Sequence, residues 1–385
     1  MMDEIKISFA GDLMCLQQQN ESIFKKYGKY DYSAIVAPII NLFDDSDYVV
    51  ANLETPIGEE CFSEEQICFN TPPSFLDSIK SLGVDFLMTC NNHCLDRGIK
   101  GLDETLRNVN AYEFDHSGTY SCKDESNRIF IKDIRGIKFA FICCTFGTNS
   151  EHNGEMLSDN ELWRVDLLKK QNKKSRIASK VSDAPIISRM IPDNVSIAAI
   201  KNSANEPYTN RIRAKINEAK QIADKVIVLP HIGGQYNPAP GFYTKHTINW
   251  MAEEGCDLIV AGHPHVLLRT EFVKDVFTAY SLGNFLFTPG VGYYLPNVLS
   301  EYGIILHTFW SPESKSLTKA TFNIVKNVVD EDGISCCHLL YDLIQSCGNA
   351  IERDFLSIDN EAIVNRLIGN NATVDIQKEY TIFKC

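Results

Sequence analysis

No apolar run in this 385-residue chain is long enough to cross a bilayer, and no basic-then-apolar leader opens it, since Met1 to Ile7 carries acidic residues. The expectations are no membrane span, no signal peptide and a cytoplasmic location. Positive charge is in deficit, with 37 Lys and Arg against 50 Asp and Glu and a net charge of -13. That balance disfavours a nucleic-acid backbone or an anionic membrane as main partner unless a bound metal or local basic patch reverses the field. No repeat of fixed period, Gly-rich phosphate loop or Ser nucleophile elbow is evident, so nucleotide cradling and serine acyl chemistry have no motif to rest on. Disulfide spacing is also missing. The 13 cysteines are an odd number scattered through periodic segments, and Cys143-Cys144 and Cys336-Cys337 do not have zinc-ribbon spacing. Reduced thiols are expected, with Cys90 and Cys94 as small packed side chains.

What the chain does have is a recurring pattern of apolar strands that end in polar clusters. Its length allows one large α/β domain with additions, or two domains. Leu258 to Ala261 is a short apolar run with β-branched residues at its centre, bounded by Gly262 and Pro264, and reads as a buried strand ending in a tight turn. His263 and His265 then stand at its tip with a stiffening Pro between them. The same punctuation closes Ile5 to Ala10 with Gly11-Asp12, and Tyr48 to Ala51 with Asn52-Leu53-Glu54. It closes Val84 to Thr89 with Asn91-Asn92-His93 and Asp96, Val226 to Leu229 with His231, and Phe277 to Ser281 with Leu282-Gly283-Asn284.

Helices are expected over Ser33 to Phe43, Ser74 to Leu82, Leu102 to Val109, Ile212 to Ala223 and Thr244 to Glu254, and a hairpin around Arg135-Gly136. Residues 145–208 break this rhythm. They hold an expected amphipathic helix near Asn160 to Lys170 and a basic run, Lys169 to Arg176, that reads as a solvated helix end. The whole segment reads as an insertion able to cover a site. A further pair of strands near Gly303 to Trp310 and Leu317 to Val325 precedes residues 330–385, which look mainly helical and then irregular.

Singly, each strand-end residue has a plainer reading: Asp12 as a turn residue, His231 as a loop histidine, the Asn-rich stretch as a helix cap. Together Asp12, Glu54, Asn92, His231, His263 and His265 each follow a predicted strand, and in an open α/β sheet such ends converge on one crevice. Mixed imidazole and oxygen ligands suit zinc, manganese or iron better than calcium. Two such ions about 3.5–4 Å apart clamp a phosphoryl group and turn water into a hydroxide nucleophile. Asn92, His93 and Asp96 can supply a neutral oxygen ligand, a proton donor and a carboxylate that orients the imidazole.

The ordered blocks Gly11-Asp12, Asn52-Leu53-Glu54, Asn91-Asn92-His93 with Asp96 and Gly98, His231 with Gly233, Gly262-His263-Pro264-His265-Val266 and Ser281-Leu282-Gly283-Asn284-Phe285 resemble the CapA family of capsule and poly-gamma-glutamate synthesis proteins. That family is similar in fold to calcineurin-like metallophosphoesterases, and the resemblance covers roughly residues 5–310. It implies an α/β fold, a two-sheet β-sandwich flanked by helices, over residues 1–328 with the 145–208 insertion, followed by a C-terminal helical extension at 329–385. It also implies two divalent ions, manganese, zinc or iron. Asp12 and His265 would hold one, Asn92, His231 and His263 the other, and Glu54 would bridge them. His93 would be the catalytic proton donor, oriented by Asp96, with Asn91 and Asn284 assigned to substrate binding. Met14 stands where ordinary metallophosphoesterases carry the His of Asp-x-His, and Gln235 where the family pattern usually has Glu.

The function implied is a metal-dependent hydrolase of a phosphate ester or related anionic substrate, by attack of a metal-bound hydroxide with a His general acid. The alternative is a non-hydrolytic component of capsule or poly-gamma-glutamate synthesis that binds an anionic polymer or a biosynthetic partner enzyme. Neither involves nucleic acid.

Overall fold

A strand that is apolar on both faces must be covered on both, and β1 (Ile5–Leu13) is buried along its whole length. Ile5, Ile7 and Phe9 enter one core and Ala10 the other, as the two-residue period of a strand requires, and a register shift between Phe9 and Asp12 puts Leu13 on the side of Ala10. The computed structural model describes residues 3–59, 68–173, 202–290, 298–369 and 373–385. After β1 come β2 (Tyr48–Leu53), β3 (Phe86–Met88) and β4 (Asp115–Ser117). The hairpin β5 (Phe130–Ile134) and β6 (Ile137–Thr145) follows, then β7 (Lys225–His231), β8 (Leu258–Val260), β9 (Thr270–Val273) and β10 (Val276–Ala279). The last are β11 (Asn284–Leu286), β12 (Tyr302–Trp310), β13 (Leu317–Val329), β14 (Ser335–Leu339) and β15 (Tyr380–Lys384).

These strands form two sheets. The larger runs β14-β13-β12-β1-β2-β3-β4, with β11 paired to β1 and β15 to β13; the smaller runs β5-β6-β7-β8-β10-β9. Phe9, Tyr48, Val50 and Phe86 of the first sheet meet Phe139, Phe141, Leu229 and Phe277 of the second in a shared core. Phe139 packs edge-on against Trp310 at 5.2 Å, and Phe86 stacks on Phe141 at 5.1 Å. Such aromatic pairs add about 0.5–1.5 kcal/mol each beyond their buried area.

Helices close the outer faces. Gln17–Tyr27, Ser33–Val36 and Phe75–Ser81 cover the first sheet through Ile23, Ile35 and Ile79. Glu206–Ile222 and Phe242–Glu253 cover the second through Ile212, Ile216, Ile248 and Met251. The expected two-sheet α/β arrangement flanked by helices is the one observed. Among the described residues no helix is long and apolar enough to cross a membrane.

Three stretches depart from expectation. The helix expected over Ser33 to Phe43 stops at Val36 and continues as a 3-10 turn over Ala37–Ile39, because Pro38 lacks an N–H and crowds the residue before it. No α-helix spans Asn160 to Lys170. A 3-10 turn covers Leu162–Arg164, after which Val165 bridges Thr119 and Leu167 bridges Thr145. Val165, Asp166, Leu167 and Leu168 are all buried, which one face of a surface helix cannot provide. The C-terminal stretch holds the helices Leu340–Ser346 and Ala350–Ile368, but also β14 and β15, both paired to β13. Burial alternates residue by residue along β14, the period of a strand. Part of the expected insertion, residues 174–201 with the end of the basic run, lies outside the described residues.

β1, β2 and β3 run parallel, as do β6, β7, β8 and β10. β11 joins β1 in parallel, with Asp12 opposite Asn284, and this requires Gly11 to pass close to Gly283. A Cβ on Gly11 would lie 2.1 Å from the Gly283 carbonyl oxygen. Gly11→Ala should therefore cost about 3 kcal/mol of stability, the upper end of overpacking penalties. Chemical denaturation measures this directly, and an unchanged midpoint would show that the two strands can separate without loss.

Candidate metal centre

The parallel strands of the two sheets end on one rim, and the strand-end residues meet there. Asp12 lies near the end of β1, Glu54 just past β2, Asn92 and His93 beyond β3, His231 at the end of β7, and His263 and His265 beyond β8. Each is at least nine-tenths buried. Cross-strand pairing sets the register: Asp12 is opposite Asn52, and His231 bridges Gly262.

Both histidines of the Gly-His-Pro-His turn have left-handed backbones, with φ of 101° at His263 and 55° at His265. Such conformations cost on the order of 1–3 kcal/mol each and persist only where the surroundings impose them. Here the Ile232 N–H donates to the Gly262 carbonyl at 2.9 Å, and the Tyr236 N–H to the Pro264 carbonyl at 2.8 Å. The turn is thus clamped to the loop that follows His231.

The donor set is crowded. His231 Nε2 stands 2.7 Å from Asn92 Oδ1, 3.0 Å from His263 Nδ1 and 3.3 Å from Glu54 Oε1. His265 Nε2 lies 3.6 Å from Glu54 Oε1, and its Nδ1 lies 3.2 Å from Asp12 Oδ2 and 3.1 Å from Asn284 Oδ1. An Nδ1–H donated to Asn284 leaves the Nε2 lone pair aimed at Glu54, the kind of outer contact that fixes a ligand imidazole's tautomer. The Asn52 amide donates to Asp12 Oδ1 at 2.8 Å and to Glu54 Oε2 at 3.2 Å.

Two buried oxygens of this set accept no hydrogen bond, Asp12 Oδ2 and Glu54 Oε1. Leaving a buried carboxylate oxygen unsatisfied is costly, more so than for a neutral group. Burial, then the neighbouring Asp12 charge, pushes the Glu54 carboxyl well above the usual carboxylate range. Burial likewise opposes charge on Asp12, but the contact with His265 holds its carboxyl below the usual value. Burial pulls His231 down to about 4 and His263 well below the ordinary imidazole range, so both are neutral ligand-type rings. Burial works against charge on His265 too, yet Glu54 and Asp12 outweigh it and raise its pKa.

Orphaned carboxylate oxygens beside imidazoles are what a divalent cation would satisfy, and the donor types suit zinc, manganese or iron. Two compact ligand groups are present, Glu54 with His263 and His265, and Asp12 with Glu54 and His231. Glu54 belongs to both, as a bridging carboxylate would. The groups cut across the expected split, since His263 falls with His265 and His231 with Asp12.

Beside the cluster, His93 Nδ1 contacts Asp96 Oδ2 at 2.6 Å. Asp96 also accepts from the Phe69 N–H at 2.7 Å, and the Phe69 ring stacks on His93 with centroids 3.9 Å apart and planes at 9°. His93 Nε2 has no hydrogen-bond partner among the described residues. Asn149 is a member that strand-end reasoning overlooked. Its Nδ2 lies 3.1 Å from His93 Nδ1 and donates to Asp96 Oδ1 at 3.3 Å, while its Oδ1 accepts from Asn92 Nδ2 at 3.2 Å. The signal was available, since Asn149 follows β6 as the other candidates follow their strands, but that stretch read as an insertion.

Asn91 and Asn284, the residues expected to bind substrate, are both fully buried. Asn91 donates to Asn52 Oδ1 and the Leu53 carbonyl, and Asn284 to the His265 and Ser300 carbonyls, so they brace the ligands from behind. Met14 packs with Leu16, Phe69 and Phe287. These side chains form a small apolar wall. Cys90 and Cys94 are buried, and desolvation raises both thiols, Cys94 to about 12, as expected of packed side chains.

A model of the family described as Bacterial capsule synthesis protein PGA_cap matches residues 6–289, a span that holds every candidate residue from Asp12 to Asn284. The PGA biosynthesis protein CapA of Bacillus subtilis (strain 168) is 26% identical over 298 residues, covering 75% of this chain and 64% of that protein. The capsule biosynthesis protein CapA of Bacillus anthracis is 24% identical over 293 residues, covering 75% and 61%. The chain therefore spans less than two thirds of the length of these relatives. A crystal structure of TT1561 of Thermus thermophilus aligns over 82% of this chain and 97% of its own, at 10% identity and a TM-score of 0.35, too low to carry an argument.

If Glu54 belongs to two ligand groups, its loss should disturb both. Manganese or zinc at about 100 times its dissociation constant should stabilise the wild-type protein by about 2.7 kcal/mol. In Glu54→Gln, which keeps shape and removes charge, most of that gain should vanish while the metal-free protein stays folded. Thermal melts with and without metal report both quantities, and an undiminished shift in the variant would remove Glu54 from the ligand set.

Proposed function

Starting from the fact that the chain belongs to the bacterial capsule synthesis protein family PGA_cap, we propose that it is a metal-dependent hydrolase of a phosphate ester or related anionic substrate. The observation that carries this reading is the His93–Asp96 pair standing beside a buried cluster of two carboxylates and three imidazoles. In the proposed roles, Asp12, Glu54, Asn92, His231, His263 and His265 hold two divalent ions. Bound there, the ions supply Lewis-acid stabilisation of phosphoryl charge and acidify a water.

The rest is done by this chain's own side chains. Asp96 accepts the Nδ1 proton of His93, which fixes the ring and leaves Nε2 to give a proton to the departing oxygen. Asn149 ties that pair to Asn92 and so sets the acid relative to the ligand cluster. Phe69, stacked flat on the imidazole, holds its plane and keeps water from one face.

The second reading, a synthesis component that binds an anionic polymer without cleaving it, is favoured by one observation. Met14, packed with apolar neighbours, takes the sequence position of the histidine in Asp-x-His. The names of the two Bacillus relatives agree with a role in making a capsule polymer.

Turnover of phosphate monoesters with graded leaving groups separates the readings. General acid catalysis contributes typically 10²–10⁴-fold, and most where the leaving group is poor. His93→Ala should lower kcat by about 10²-fold or more on an alkyl phosphate and much less on p-nitrophenyl phosphate, at unchanged metal content. Asn149→Ala should show the same leaving-group pattern at about a tenth of the size. A uniform loss across leaving groups would deny His93 the acid role, and metal binding without any turnover would favour the non-hydrolytic reading.

A further inference from the structure

Lys169 opens the basic run that the sequence presents as a solvated helix end, yet the structure places it elsewhere. The chain from Val165 to Leu168 is extended and runs parallel to the end of β6, with Leu167 bridging Thr145 and the Leu168 N–H donating to the Thr145 carbonyl at 2.7 Å. Thr145 is in turn opposite His231 in the β6–β7 pair. This segment therefore delivers Lys169 to the rim where the strand ends gather. Its ammonium stands 4.2 Å from the Phe146 ring centroid, and that ring lies 5.7 Å from the ring of His263. Gly147 leaves room for the stem, since a Cβ there would come within 3.3 Å of Lys169 Cε.

Among the described residues no carboxylate lies within ion-pair distance of this ammonium. Burial pulls the amine below the usual lysine range, with the more distant Glu151 only partly opposing that. A partly buried cation held by an aromatic face and lacking an anion is poorly compensated. The cation lies near enough to His263 to help keep that ring neutral.

Resting on the reading of the rim as a site for anionic esters, we propose that Lys169 binds a second anionic group of the substrate, distinct from the reacting phosphoryl group. The substrate class is thus a phosphate ester that carries a carboxylate or further phosphate beside the scissile bond. Lys169 acts as a point charge with three donors, so it selects charge rather than planar shape.

Binding tests this apart from turnover. Metal-loaded wild-type protein is titrated calorimetrically with benzylphosphonate and with its 3- and 4-carboxylated forms, none of which can be hydrolysed. At least one carboxylated form should bind about tenfold more tightly than the parent, as a charge-assisted hydrogen bond allows. Lys169→Met, which keeps the apolar stem, should abolish that preference while binding the parent compound as before. Lys169→Arg should retain it, and Lys169→Gln serves if the Met variant does not fold. A preference that survives in Met and Gln variants, or no preference in the wild type, would overturn the proposal. Loss of affinity for all three compounds alike would assign Lys169 a structural role and also overturn it. Absent phosphatase turnover with an intact, Lys169-dependent preference would instead count against the hydrolase reading alone.

Discussion

Glu54 is fully buried, and its carboxyl group faces Asp12 across a space lined by the imidazoles of His231, His263 and His265. Desolvating two carboxylates side by side is among the costliest arrangements a protein core can hold. Much of the rim is built in response to it. Asn52 turns its amide N–H groups toward both acids. Asn92 and Asn284 turn their carbonyl oxygens toward His231 and His265. These amides balance hydrogen bonds without adding charge, and what they leave unbalanced is one lone oxygen on each acid. A cation is the simplest completion of that set.

The scaffold makes this crowding possible because parallel strands deliver their carboxyl ends to one edge. β1 is central, flanked by β2 and β11 in parallel at its end, and the ladder places Asp12 beside both Asn52 and Asn284. Glycines allow the close approach. A Cβ on Gly303 would lie 2.2 Å from the Asn284 carbonyl oxygen, much as on Gly11 against Gly283. On the second sheet, the left-handed backbones of His263 and His265 are the local strain that aims two imidazoles back over the first sheet. Strain of this kind needs a rigid support, and the core between the sheets, with Phe86, Phe139, Phe141 and Trp310 in contact, supplies one.

Around the charged cluster the two flanks differ in character. One carries His93, Asp96 and Asn149 under the flat Phe69 ring, joined through Phe69 to the apolar wall of Met14, Leu16 and Phe287. The other carries Phe146 and the Lys169 ammonium. His93 and the partly buried Lys169 ammonium thus both border the cluster of candidate ligands.

Strand ends were legible because apolar runs closed by Gly, Pro, Asn, Asp or His announce themselves locally, and every metal-ligand candidate read that way lies on the rim. Local patterning failed where tertiary contacts overruled it. Val165 to Leu168 carries helix-compatible residues, but all four are buried in an extended bridge. Cys336 to Leu339 became a strand because β13 was there to pair with it. By itself, then, the sequence determined which candidate ligand and proton-transfer residues exist, their order, and their placement at strand ends. Only the tertiary structure decided that Asn149 and Lys169 join them, that Asn91 and Asn284 brace from behind, and that Glu54 is shared between two ligand groups. Those outcomes depend on register and sheet packing, which bring together atoms from distant segments to within about 3 Å, the range of a hydrogen bond.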